Sequence, residues 1–398
     1  MKHFNTLFFL TLCTYCSFSQ SWTQKADFGG SARRSAMAFS IGSKGYMGMG
    51  YNGNFYKDLW EFDPVNDVWA QKADFGGTAR FAGVGFSIGE LGYVGTGYDV
   101  NNNFNTADFW EYDPQANVWT AIAPIPVARR YSAGFSIANA GYVGTGVGDA
   151  GYLDDFWAYD PVSDSWAQKP DFPGAPRYEC VAFAISGYGY IGVGAYAGTL
   201  YSDFYEYNPE ADSWTQKADY PGNGQDACSG FGLKDRGYIG GGSNQQTWFS
   251  DFWEWEQATD VWTALEDFPG SPRAFGTGLE ILNKGYMGMG ESSSYYHDWW
   301  EYTPDTTIGT SIVSADENNI VDFPNLLVNE SLVIRYEIQH PSQLLIRNMN
   351  GTTVYSCSLP KAQQTVTIPS TDFETGIYFY EVRNYSGIIA AGKLVLLQ

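Results

Sequence analysis

Positive charge is scarce in this chain: 22 Lys and Arg stand against 44 Asp and Glu, for a formal net charge of −22. A body so anionic repels nucleic acid and anionic lipid surfaces, so neither is expected as a partner. Histidine is nearly absent, with three in 398 residues, one of them at position 3. That leaves His297 and His340 for the body of the protein, too few for a histidine-rich metal centre, and no metal or other cofactor is expected. Of five cysteines, Cys13 and Cys16 lie in the first 19 residues. The other three, Cys180, Cys228 and Cys357, are an odd number that rules out a full disulfide framework. Long apolar runs are missing as well. The one candidate, Leu7–Leu12, falls short of the roughly 20 residues that cross a bilayer, so no membrane span is expected.

That short run does fit a secretory leader over residues 1–19. Lys2 and His3 form the polar start, and Ser17-Phe18-Ser19 gives a small-x-small cleavage site before Gln20. Neither Cys13 nor Cys16 follows a small residue, which argues against a lipid anchor.

Glycine and aromatic residues are abundant, with 46 Gly and 17% Phe, Trp and Tyr, and they recur on a fixed period. The phrase Gly-Tyr-x-Gly-x-Gly begins at Gly45, Gly92, Gly141, Gly189, Gly237 and Gly285. An acid-aromatic phrase follows each copy, the first being Asp58-Leu59-Trp60-Glu61-Phe62-Asp63-Pro64. After the first five comes a tryptophan: Trp69, Trp119, Trp166, Trp214 and Trp262. Each unit reads as four short strands. Strand A opens at an arginine, strand B is the glycine phrase, strand C alternates aromatics, and strand D carries the tryptophan after an Asp-Pro turn. Four strands in roughly 40–50 residues make one propeller blade.

The sixth unit has no tryptophan of its own. Its missing strand D stands at the other end of the chain, where Trp22-Thr23-Gln24-Lys25-Ala26-Asp27-Phe28 copies Trp69–Phe75 almost residue for residue. The predicted fold is therefore an all-β, six-bladed propeller over residues 20–304, closed by its own N-terminus so that no sheet edge stays open. The pattern resembles the kelch repeat family in its strand-A arginine, glycine-rich strand B, aromatic before Asp-Pro and later tryptophan. It departs in using Gly-x-Gly where the family's doublet is usual; only Gly240-Gly241-Gly242 holds a doublet.

Residues 305–320 are rich in Thr, Ser and Asn and read as a linker. Beyond them, short alternating segments such as Leu332–Tyr336 and Ile377–Val382 predict a small β-sandwich over 321–398. Phe323-Pro324-Asn325, Asn350-Gly351, Gly376-Ile377-Tyr378-Phe379 and Gly392-Lys393-Leu394-Val395 resemble the C-terminal sorting domain of proteins exported by the type IX system of Bacteroidota. The family's opening Tyr-Pro-Asn-Pro is Phe-Pro-Asn-Leu here. The resemblance implies delivery to the cell surface or medium, with the secretion machinery as partner of residues 321–398.

No catalytic constellation stands out. The glycine phrase is followed by a strand, where a phosphate-cradling loop needs a helix. Some kelch-type propellers are copper oxidases that need two histidines at the metal, and one propeller histidine excludes that site. The loops Asp99–Asn103 and Asp149–Asp155 lack calcium-ligand spacing and read as solvated turns. Cys180 and Cys228 share a repeat position otherwise filled by Ala36, Gly83, Ser132 and Gly276, so size explains them.

The strand-A arginines are the most suggestive candidates. Arg33, Arg80, Arg129, Arg177 and Arg273 occupy one repeat position, from which Gln225 alone departs. The meander puts them at one channel mouth beneath the B–C loops, which bring Tyr51, Tyr98, Tyr196 and Trp248. Guanidinium donors with aromatic walls suit a carbohydrate acid or an acidic peptide. The plainer expectation is that repeat acids such as Glu61 and Glu111 neutralise each arginine and tie blades together. The sequence thus reads as an exported binding or adhesion propeller of open ligand. The rival readings are a sugar-acid mutarotase resembling kelch-type sialic acid epimerases, and a structural surface protein.

Overall fold

The computed structural model describes residues 21–222, 224–304 and most of 320–397. The expected leader at 1–19 and all but the last residue of the expected linker at 305–320 lie outside the described residues. The chain divides into a unit of Gln20–Pro304 and a second that contains Asp305–Gln398. Among the described residues every regular element is a strand.

The first unit holds six four-stranded antiparallel sheets in meander order. In the first blade these are Met37–Ile41 (A), Lys44–Gly48 (B), Leu59–Asp63 (C) and Val68–Lys72 (D). The last blade takes A, B and C from Thr277–Thr303 and its D strand, Ser21–Lys25, from the N-terminus. Trp22 lies opposite Tyr302 and Gln24 opposite Trp300, so the ring closes as the repeat count predicts.

Strand A alternates buried and half-buried positions because its two faces differ. Met37, Phe39 and Ile41 pack between blades, whereas Ala38 and Ser40 face the axial channel. The first glycine of each glycine phrase makes room for the neighbouring blade. A Cβ on Gly92 would stand 2.2 Å from the Phe39 ring, and one on Gly141 would meet Phe86 equally closely. The last glycine serves the backbone, with φ of +98° at Gly50 and +103° at Gly97. Asp63 shapes the C–D turn by accepting the Val65 and Asn66 amides.

The strand-D tryptophans hold blade to blade. Trp69 donates its indole N–H to the Ala26 carbonyl at 3.0 Å, and Trp119 does the same to Ala73 at 3.2 Å. Trp22 has no such acceptor among the described residues. It packs instead among Phe252, Phe268 and Tyr302, with centroids 4.9–5.3 Å away.

The second unit is a sandwich of a three-stranded and a five-stranded sheet. Ile334, Tyr336, Leu344, Ile346, Tyr380 and Val382 belong to a core built wholly from its own residues. Of the sorting phrases, Phe323–Asn325 and Asn350 lie outside the described residues.

Candidate functional site

Where strand A begins, four successive residues of each blade form four layers around the axis, and each layer does different work.

The first layer is the arginine position. Arg33, Arg80, Arg129, Arg177 and Arg273 are all buried. Their partners are the acids that open strand C, not Glu61 and Glu111. Arg129 reaches Asp155 with two parallel bonds of 2.7 and 2.8 Å, and Arg80 reaches Asp108 at 2.6 and 2.9 Å. Arg33–Asp58, Arg177–Asp203 and Arg273–Asp298 repeat the pair. Each arginine also donates to two carbonyls, for Arg129 those of Val127 and Thr145. The strand-C tryptophan completes the clamp, as when the Trp157 indole donates to Asp155 at 2.7 Å. Glu61 and Glu111 instead accept the strand-B hydroxyls of Tyr46 and Tyr93. The register explains the difference: Glu61 lies opposite Tyr46 in mid-sheet, whereas Asp58 precedes strand C at the end where strand A starts.

The fifth blade shows what the arginine contributes. Burial draws the Asp108 carboxyl upward, but the Arg80 guanidinium outweighs it and holds the group below its ordinary range. Asp251 is equally enclosed and among the described residues has only the Gln225 amide, the Trp253 indole and the Tyr220 hydroxyl, so burial wins and the carboxyl is raised.

The second layer forms the wall of the mouth: Arg34, Phe81, Arg130, Tyr178, Asp226 and Ala274. Each makes a backbone bridge to the first residue of a B–C loop, Arg34 to Tyr51 and Arg130 to Val147 for example. Arg34 donates to Glu291 at 2.5 Å and lies over the Phe275 ring at 4.7 Å. Arg130 donates to the Asn105 side-chain oxygen at 2.9 Å and lies over Tyr98 at 4.9 Å. Among the described residues it is the one propeller arginine with no carboxylate within salt-bridge distance.

The third layer faces the axis: Ser35, Ala82, Tyr131, Glu179, Ala227 and Phe275. All six have φ between +50° and +60°. Their backbones bond head to tail round the channel, each amide donating to the carbonyl of the preceding blade, from Ala82 to Ser35 at 3.2 Å and back from Ser35 to Phe275 at 3.0 Å. A left-handed backbone costs a non-glycine residue on the order of 1 kcal/mol, and the closed circle of bonds holds it there.

Below this circle, Ala36, Gly83, Ser132, Cys180, Cys228 and Gly276 form a narrow neck. Both cysteines are free, and burial pushes the Cys180 thiol up to about 12. Axial and neck residues enclose a cavity of about 150 Å³.

Glu179 is the one acid in this cavity's lining. It faces the open axis, so water still reaches it, yet protein surrounds it on every other side. Burial first, then the nearby Asp226 carboxylate, push its carboxyl up to about 8 against the opposing pull of Arg34 and Arg130. No hydrogen-bond donor among the described residues engages that carboxyl. Burial first, and then the neighbouring Glu179 carboxyl, raise the Tyr131 hydroxyl one blade earlier. The Arg34 Nε and Ser132 Oγ are buried without partners among the described residues.

Of the residues singled out in the sequence, the five arginines sit behind the mouth as clamps. The Tyr51 and Tyr98 rings lie against Arg34 and Arg130. Tyr196 and Trp248 stand on the outer rim, 38% and 41% exposed, away from the cavity lining. Arg34, Arg130, Tyr131 and Glu179 were missed. Their signal lay beside the repeated arginine, in the doublets Arg33-Arg34 and Arg129-Arg130 and in the single acid at the Glu179 position.

Residues 323–396 match the secretion system C-terminal sorting domain. The chain is therefore exported by the type IX route, to the cell surface or beyond it. No curated protein matches the sequence. Among solved structures, the one described as "Structure of YjhT" aligns over 69% of this chain and 95% of its own, with a TM-score of 0.61 and 16% identity. That likeness, with the six four-stranded sheets, makes the first unit a six-bladed β-propeller.

Proposed function

We propose that the exported propeller binds a small carboxylated carbohydrate in the channel mouth. The observation that carries this reading is Arg130, a cation held at the wall beside Glu179 with no carboxylate of its own. A ligand carboxylate would accept from Arg130. Glu179, protonated at neutral pH, would donate to a ligand oxygen where an ionised acid would repel it. Tyr131 adds a hydroxyl at the depth where a sugar ring would sit.

The test is a calorimetric titration of the full chain with free sialic acid, a sugar acid that carries one carboxylate. Binding should weaken as salt rises and disappear in Arg130→Ala, while melting stays within a degree or two. Unchanged binding in Arg130→Ala would sink the reading.

The raised carboxyl of Glu179 favours a second reading, mutarotation of the same sugar. Glu179 would give its proton to the ring oxygen as the C–O ring bond breaks. Water on the axis would take the hemiketal proton as the carbonyl forms, and reclosure on the other face would return both protons. Anomer exchange followed by NMR should then be faster with the protein and should fall to the uncatalysed rate in Glu179→Gln.

A further inference from the structure

The mouth is not equally walled. Blades two, three and four carry two-stranded hairpins in their B–C loops: Tyr98–Asp99 with Phe104–Asn105, Val147–Gly148 with Gly151–Tyr152, and Ala195–Tyr196 with Thr199–Leu200. Blades one, five and six have a single bridge there. The hairpins are fastened to one another, the Asn105 amide donating to Asp149 at 2.7 Å and Tyr152 meeting Tyr196 edge to face at 4.9 Å.

From the axis outward runs an unbroken file of tyrosines. Tyr131 in the cavity lies 6.2 Å from Tyr178 on the wall, which stacks on Tyr152 at 5.4 Å, which in turn meets Tyr196 on the rim. Tyr152 and Tyr196 are each 38% exposed. The hairpin segments 147–153 and 195–201 contain no Lys or Arg, and their single acid, Asp149, is paired. Trp248 is more exposed but makes no ring contact with this file, so it stands outside it.

Resting on the mouth as a sugar-acid site, we propose that Tyr152 and Tyr196 form a second subsite for an uncharged sugar unit linked to the acidic one, so that the ligand is an acid-terminated oligosaccharide. Aromatic faces stack on the apolar C–H face of a pyranose, and a track without cations offers nothing to a second carboxylate. Continuity with the cavity fixes the polarity: acid inward, neutral units outward. A ligand linked through its anomeric carbon cannot mutarotate, so the subsite assigns the propeller to recognition.

Free sialic acid and sialic acid linked to lactose, titrated into the full chain, test this. The linked sugar should bind about tenfold more tightly. Tyr196→Ala and Tyr152→Ala should each bring its affinity down to that of the free acid and leave free-acid binding within twofold. Tyr196→Ala, at an exposed site, keeps the test sound if Tyr152→Ala unfolds. Equal affinities for the two sugars, or a rim variant that weakens both alike, would overturn the subsite while the mouth site stands. Failure of both sugars to bind would overturn the two together.

Discussion

The arginine layer and the two layers beside it sit one and two residues apart in sequence and behave in opposite ways. Five of six blades repeat the arginine, its Asp partner and its two carbonyl acceptors, with four adding the strand-C tryptophan donor to that Asp. At the next two positions no blade repeats another's pairing: Arg34-Ser35, Phe81-Ala82, Arg130-Tyr131, Tyr178-Glu179, Asp226-Ala227 and Ala274-Phe275. The backbone at both sets is equally regular. Where side chains carry the geometry, repetition is enforced. Where the backbone circle carries it, the side chains are released for other work.

Four experiments would break or sharpen that contrast. The largest effect should come from the closure of the ring. Removing residues 20–28 opens a sheet edge and strips Trp22 from Phe252, Phe268 and Tyr302, and Trp22→Ala alone should cost about 3–5 kcal/mol in chemical denaturation. Wild-type stability in the deletion would mean that the ring does not depend on its N-terminal strand.

Next comes the clamp. Arg129→Met leaves Asp155 enclosed without its cation and should cost about 3 kcal/mol, whereas Gln225→Arg should lower the Asp251 carboxyl and raise the melting temperature. A stable Arg129→Met variant would remove the distinction between clamp and mouth.

A smaller, pH-dependent effect belongs to Glu179. Its folded carboxyl holds a proton up to about pH 8, while the unfolded one releases it near the ordinary value of 4.5. Between those limits the folded chain binds more protons than the unfolded one, so wild-type stability declines as pH rises through the window. Glu179→Gln should abolish that slope and be the more stable protein at pH 9. Sugar-acid affinity should fall above pH 8 in the wild type only, because the ionised carboxylate then faces the ligand's. Parallel stability curves for the two proteins would place the titration elsewhere.

The smallest effect should follow from ending the chain at Pro304. Each unit has its own core, so melting of the propeller should shift by no more than a degree or two, while export from the native host stops. A large drop in melting would tie the sandwich to the fold of the ring.

Periodicity made the scaffold legible. Six copies of Gly-Tyr-x-Gly-x-Gly, and a stray Trp22–Phe28 matching Trp69–Phe75, fix blade number and closure without coordinates. The tail was legible through its phrases. The arginines are legible but their partners are not: Glu61 and Glu111 are the expected acids, and sequence distance says nothing about which end of strand C meets the start of strand A. Arg34, Arg130 and Glu179 escaped for a deeper reason. A search for repeats keeps what recurs, and a site that tells one ligand from another on a sixfold frame must be made from what does not recur.

The circle of six amide-to-carbonyl bonds has an evolutionary consequence. It works as a socket with six fixed slots, whose spacing is set by main chain and so survives exchange of any side chain mounted on it. Such a socket can be refitted one slot at a time, from Ala82 to a larger group or from Glu179 to a neutral one, without the ring having to fold anew. The same hoop that makes this mouth rigid also makes its specificity cheap to change.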